Sequence, residues 1–220
     1  MVKLSKRLLA IYDMVPRGFI ADIGADHGKL IIALAENDIA IHGFAVENKP
    51  GPFKRLEKAI VEAGLENKID VILGDGLMNL PPVIDTVIMA GMGGNLIVNI
   101  LKRDVSKLEN INTIIVEAHS AIRKVREEIT GLGYVIADET IVEDAKKYYE
   151  IIKFIKADIA FLNNLDLEYG PILRKEKSYT FIEKSLARIK TIENLIENEN
   201  LDQTRKEELE EEKRRIENIL

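Results

Sequence analysis

The stretch Ile20-Ala21-Asp22-Ile23-Gly24-Ala25-Asp26-His27-Gly28 restricts the folds open to this chain more than any other. A short apolar run that ends in an acidic, glycine-punctuated turn and passes into a helical pattern reads as the first strand, loop and helix of a nucleotide-binding α/β sheet. Gly24 suits a sharp turn out of the strand, and Gly28 suits close packing where Lys29 to Glu36 begins as a helix. The spacing departs from the dinucleotide fingerprint G-x-G-x-x-G, because Asp26 stands at the second glycine and Lys29 at the third. A pyrophosphate would meet a carboxylate there, whereas a ligand with a cationic end would be welcome.

The same design recurs along the chain. A strand over Ile41 to Val46 closes on Glu47 and the loop Asn48-Lys49-Pro50-Gly51, and a helix from about Pro52 to Ala63 stops at Gly64. Ile69 to Leu73 is a third strand, ending in Gly74-Asp75-Gly76. Asp26, Glu47 and Asp75 therefore gather at one sheet edge, which a solvated loop explains well for one residue and poorly for three. Glu47 lies 23 residues beyond Gly24, close to the roughly 20-residue interval at which an acidic strand end meets ribose hydroxyls. A fourth strand, Asp85 to Met89, runs into Ala90-Gly91-Met92-Gly93-Gly94, a turn in which a flat ligand could lie against the backbone, before a helix over Asn95 to Lys102. Ile111 to Val116 is the fifth strand, followed by Glu117-Ala118-His119-Ser120 and a helix from Ala121 to Leu132. Tyr134 to Val142 and Tyr148 to Ile155 then read as an antiparallel pair around residues 143–147. Five βα units and a terminal hairpin predict an α/β, Rossmann-like seven-stranded sheet of the class I methyltransferase kind.

The two ends add helices. Residues 1–14 carry Leu4, Leu8, Ile11 and Val15 at helical spacing, with Ser5 as a cap and Pro16 and Gly18 as the stop. Lys3, Lys6, Arg7 and Arg17 are a solvated face or, on a nucleic-acid enzyme, a phosphate grip. Beyond about Asn163 the chain changes character: Tyr169-Gly170-Pro171 marks a joint, and Ile182, Ile189, Ile192 and Ile196 fall on a heptad-like seam. Asn198-Glu199-Asn200 breaks it, and Leu209, Ile216 and Leu220 resume it, which predicts an antiparallel helical hairpin over 164–220 appended to a domain of 1–163. The chain has no cysteine, which excludes disulfides, a thiolate nucleophile and Cys-ligated metal. A net charge of −6 argues against indiscriminate binding to nucleic acid while leaving room for a local basic face. With no apolar run of the roughly 18 residues a membrane span needs, and no leader pattern, the expectation is a cytoplasmic protein with no membrane association.

If the acidic strand ends serve one purpose, the ligand is S-adenosylmethionine. Asp22, Gly24 and Asp26 would face its aminocarboxypropyl end, Glu47 and Asn48 its ribose, and Gly74, Asp75 and Gly76 its adenine, with Ala90 and Gly91 completing the set. The reaction would be methyl transfer, which needs no metal and no covalent intermediate. A metal site of Asp26, Glu117 and His119 lacks recognisable ligand spacing.

The chain resembles the bacterial tRNA (adenine(22)-N1)-methyltransferases in LSKRL (4–8), ADIGADHGKL (21–30), VENKPGPFKRL (46–56), LGDGL (73–77), DTVIMAGMGG (85–94), YYEII (148–152) and YGPILRKE (169–176). The resemblance runs end to end. It implies a Rossmann-like catalytic domain with a C-terminal coiled-coil hairpin, tRNA as the partner, no obligatory protein partner, a monomer, and methylation of ring nitrogen N1 of an adenine in the D-arm. Enzymes acting on the exocyclic amine typically carry an Asn/Asp-Pro-Pro-aromatic turn after strand four, where this chain has Ala90-Gly91-Met92-Gly93. In the family's Asp-His motif, Asp26 is the candidate carboxylate to stabilise the charge appearing on the base or to accept its proton, and His27 to orient it. Lys6, Arg7, Met92, Gly93, Gly94 and His119 are the candidate substrate contacts. One departure stands out: Glu117-Ala118-His119 occupies the place of the family's usual Gln-Pro-Asn turn. Two other readings compete. In a catalytically silent scaffold that binds S-adenosylmethionine or RNA, that departure would mark lost chemistry; a nicotinamide-dependent oxidoreductase would need the pyrophosphate glycines that are missing here.

Overall fold

The structure, a computed structural model, describes residues 2–157, 161–198 and 201–220. Seven strands form one sheet in the order β3-β2-β1-β4-β5-β7-β6: β1 (Gly18–Ile23), β2 (Ala40–Glu47), β3 (Ile69–Leu73), β4 (Thr86–Met92), β5 (Thr113–Ala118), β6 (Tyr134–Asp144) and β7 (Lys147–Lys156). The first five are parallel, and β7 runs antiparallel between β5 and β6. From β1 the chain winds outward to β2 and β3, then crosses to β4 and winds the other way. Such a reversal opens a crevice at the carboxyl ends of the central strands, where ligands of open α/β sheets bind.

Alternation along the strands divides the core into two layers. Ala21, Ile23, Val87, Met89, Ile114 and Val116 pack against α4 (Gly94–Arg103) and α5 (Ile122–Gly131). Ile20, Ala45, Ile88, Ile115 and Ile151 face α1 (Lys6–Met14), α2 (Lys29–Glu36) and α3 (Pro50–Ala63). Capping follows the residue types: Ser5 Oγ accepts from Leu8 N, and Gly64, with φ +67°, closes α3 in the left-handed region.

Three elements differ from the sequence expectation. The first helix begins at Lys6, because the Ser5 cap sets its start. The turn predicted after Met89 is still strand: β4 runs on to Met92, with a register irregularity between Ala90 and Met92 and Gly91 at φ +76°. This is a bulge, which bends the strand end and which a side chain at Gly91 would strain. The loop predicted over 143–147 shrinks to Ala145-Lys146, both with positive φ, a geometry whose twist lets β6 and β7 run to their tips.

The tail folds as α6 (Asn164–Tyr169), α7 (Pro171–Glu176), α8 (Tyr179–Ile196) and α9 (Gln203–Ile219). Lys177, just before α8, donates to the Leu220 carbonyl oxygen at the end of α9, and Arg188 further along α8 pairs with Glu212, so α8 and α9 run antiparallel, burying Ile192, Leu209 and Ile216 between them. The predicted break at Asn198 includes Glu199 and Asn200, which lie outside the described residues. Ile141 of β6, Leu173, Phe181 and Ile219 fasten the tail to the sheet edge. Among the described residues no helix is long and apolar enough to cross a membrane.

Candidate active site

Two adjoining cavities that share Gly24 open at the carboxyl ends of β1, β2 and β4. The larger, about 480 Å³, is lined by Asp22, Gly24, Asp26, His27, Ala90 and Gly91 from the sheet edge, and by Ser5, Arg7, Leu8, His119 and Tyr149 opposite. The smaller, about 280 Å³, collects Glu47, Asn48, Gly74, Asp75 and Gly76 around apolar walls from Ile23, Val46, Met92, Leu96 and Ile100.

Their acids are held in different ways. Asp22, inside β1, is buried, and burial together with the nearby charge of Glu47 pushes its carboxyl up to about 7. Glu47, also buried, accepts from the Asp26 backbone N–H at 2.6 Å, which ties the end of β2 to the turn after β1. Asp26 adopts a left-handed conformation, φ +48°, and projects an exposed side chain 3.6 Å from His27 and 3.8 Å from Arg55 of α3. Two buried carboxylates in contact with a cavity are costly unless a cation joins them. The ammonium and sulfonium of S-adenosylmethionine are such cations, and the apolar walls beside Glu47 offer a slot for a flat base. The donor set fits that ligand.

Opposite, Arg7 reaches from α1 to Glu117 of β5, with Nη1 2.5 Å from Oε2, and its guanidinium lies 5.4 Å above the Tyr149 ring. Gly91 N–H at the β4 bulge donates to the same Glu117 oxygen at 2.9 Å. Glu117 is fully buried, yet among the described residues its Oε1 has no hydrogen-bond partner; His119 Nε2 stands 3.4 Å away, and the His119 and Tyr149 rings are 6.2 Å apart.

A family profile described as "Methyltransferase domain" matches residues 4–152. The tRNA (adenine(22)-N(1))-methyltransferase of Bacillus subtilis (strain 168) is 34% identical over 190 residues, covering 83% of this chain and 80% of that protein. This chain belongs to the tRNA (adenine(22)-N1)-methyltransferase family. The solved structure of Streptococcus pneumoniae Sp1610 in complex with S-adenosyl-L-methionine superposes with a TM-score of 0.91 at 30% identity, covering 99% of this chain and 100% of that one. That of M. capricolum TrmK in complex with S-adenosyl-homocysteine gives 0.87 at 25% identity over 98% and 96% of the two chains.

Within this family frame, most of the residues expected from the sequence line one cavity or the other. Asp22, Gly24, Asp26, His27, Ala90, Gly91, Arg7 and His119 meet in the larger; Glu47, Asn48, Gly74, Asp75, Gly76 and Met92 in the smaller. Three stand apart. Lys6 is exposed on α1 outside both linings, and Gly93 caps α4. Gly94 is buried where an added Cβ would lie 2.4 Å from the Ser120 carbonyl oxygen, so close packing accounts for it. Asp75 is also less free than expected, since Arg103 binds its carboxylate at 2.7 Å and its carbonyl oxygen at 2.8 Å. Among the described residues, no group of three His, Asp or Glu is arranged to hold a metal ion. The sequence reading missed Tyr149, Arg103 and Arg55, and it gave Arg7 as a phosphate or substrate contact without its partner Glu117. Only the Tyr-Tyr pair in the YYEII segment hinted at Tyr149; the Arg7–Glu117 pair spans 110 positions and left no local signal.

Proposed function

We propose that the protein transfers the methyl group of S-adenosylmethionine to ring nitrogen N1 of the adenine at position 22 of tRNA. The observation that carries this reading is the joined pair of cavities, acidic and apolar on the cofactor side, with Asp26 on the wall of the larger one where a base would enter. S-adenosylmethionine supplies an electrophilic methyl group when bound. Asp22 and Glu47 balance its positive charge, Glu47 and Asn48 reach its ribose, and the slot between Ile23, Leu96 and Ile100 takes its adenine. N1 of adenine is already a nucleophilic lone pair, so the protein has to align it and manage the charge that moves onto the ring. Asp26 faces that charge, stabilising it or accepting a proton from the amine, and His27 at 3.6 Å orients its carboxylate.

In this reading the helices after Asn163 form a second unit that enlarges the RNA-contacting surface, and the enzyme works in the cytoplasm, where tRNA is. The decisive experiment incubates the protein with labelled S-adenosylmethionine and unmodified tRNA transcripts and analyses the nucleosides. 1-Methyladenosine at position 22, lost when that adenine is changed to guanine, is the expected result. Cofactor binding with no transfer to any tRNA would favour the silent scaffold instead.

A further inference from the structure

The β6–β7 hairpin overhangs the cavity. The register of β5 against β7 ends at Glu117 opposite Ile151, so residues 147–150 continue past the carboxyl edge of the parallel strands. At about 3.3 Å per residue, that overhang is about 13 Å long. Its two faces do different jobs. Tyr148, with Glu143 opposite it across the ladder, turns to the tail, where it packs with Phe181. Tyr149 turns to the cavity, and Lys147, two residues away along the same strand, shares its face.

The overhang is pinned to α1. Asp144, opposite Lys147 in the ladder, accepts from the Arg7 backbone N–H at 3.1 Å and from the Ser5 hydroxyl, which holds its carboxyl below the usual carboxylate range. The carboxylate that could have neutralised Lys147 is thus drawn into the junction. Lys146 and Lys147 at the tip, and Lys6 at the start of α1, are all exposed, and none has a carboxylate within ion-pair distance among the described residues. By contrast Arg7, Arg55 and Arg103, the arginines nearest the cavities, are each committed to an acid of the site.

We propose that the tip of the β6–β7 hairpin, through Lys146 and Lys147 with Lys6 beside it, grips the RNA phosphates that flank the nucleotide entering the cavity. This rests on the tRNA reading above. A base can reach Asp26 only by leaving its stack, and its neighbouring phosphates then stop at the cavity rim, where this wall stands. Cations held in no close ion pair release the most counterions on meeting phosphate, and a turn pinned to α1 presents them without a large ordering cost.

The test measures tRNA binding by fluorescence anisotropy between 50 and 200 mM KCl, roughly the range over which phosphate contacts declare themselves. Lys146→Ala/Lys147→Ala should bind about tenfold more weakly and with a salt slope shallower by about 2, while Lys146→Arg/Lys147→Arg keeps both close to wild type. S-adenosylmethionine affinity and single-turnover methylation at saturating tRNA should stay within about twofold, since neither lysine touches the chemistry. Wild-type affinity and slope in the alanine variant, in an enzyme that does methylate tRNA, would overturn the inference alone. Failure of the wild-type protein to bind tRNA would remove both the inference and the reading beneath it.

Discussion

Two arginines meet buried glutamates on opposite faces of the terminal hairpin, and the two clusters are finished to different degrees. On the tail side Arg126 of α5 is fully buried: it donates to Glu139 at 2.8 Å, to Glu150 at 2.6 Å and to the Leu167 and Glu168 carbonyl oxygens. Glu139 also accepts from Ile172 N–H, and Glu150 from Lys184 of α8, so both carboxylates have both oxygens engaged. On the cavity side Glu117 is just as buried, but Arg7 is partly in water and one carboxylate oxygen has no hydrogen bond among the described residues. A saturated network rigidifies, and here it locks α5, β6, β7 and the tail together. An unsaturated one leaves a buried acceptor for which the packed chain supplies no donor.

The largest effect should come from breaking the finished cluster. Arg126→Met leaves Glu139 and Glu150 buried with too few cations, which costs about 3–5 kcal/mol and should show as a large fall in the urea midpoint. A loss below about 1 kcal/mol would erase the contrast between the two sides. Asp26→Asn, on the cavity side, should act on rate and not on stability: a fall on the order of a hundredfold in single-turnover methylation, with much less change in S-adenosylmethionine affinity. Equal losses of both would make Asp26 a cofactor ligand only.

A smaller effect concerns pH. In the folded protein Asp22 titrates at about 7 instead of 3.8, so between those values the native state holds a proton that the unfolded state has released. Its contribution to stability is complete below the unfolded value and is lost as pH rises to about 7. Without ligand, wild-type stability should therefore fall more steeply from pH 5 to 7 than that of Asp22→Asn, by about 1 kcal/mol per pH unit, as melting curves across that range would register. Parallel slopes would mean that the cavity hydrates Asp22 after all. The smallest expected change is Glu117→Gln, which keeps the acceptor for Gly91 N–H and trades a charged contact with a half-solvated Arg7 for a neutral one. It should shift stability by less than about 1 kcal/mol in the same urea experiment. A cost matching Arg126→Met would show that the open cluster is as structural as the closed one.

The order of elements was legible in the sequence because each piece has a short-range cause. Apolar runs of strand length, Ser5 as a cap, Gly64 as a stop, and an acid after each of the first three strands are all set within a few residues. The same economy made it readable that Asp22, Gly24, Asp26, Glu47 and Asp75 share one edge, since parallel winding puts every strand's carboxyl end on one side. The extension of β4 through Ala90 to Met92 was not readable, because a glycine-rich segment after a strand fits a turn equally well until β5 pairs with it. Nor could the sequence foresee that Gly94 is needed for packing against Ser120, 26 positions away.

What the sequence by itself determined is the winding, the acidic edge at the carboxyl ends of β1 to β3 and family membership, all of which depend on residue types at fixed local spacings. Tertiary structure alone decided the partners of the charges. Arg7 goes to Glu117 and not to solvent, Arg103 holds Asp75, and Arg126 joins two glutamates of one hairpin beneath the tail. An ion pair depends on which side chains the packed core brings within a few ångströms of each other and how far it shields them from water, and neither quantity exists until the sheet has closed.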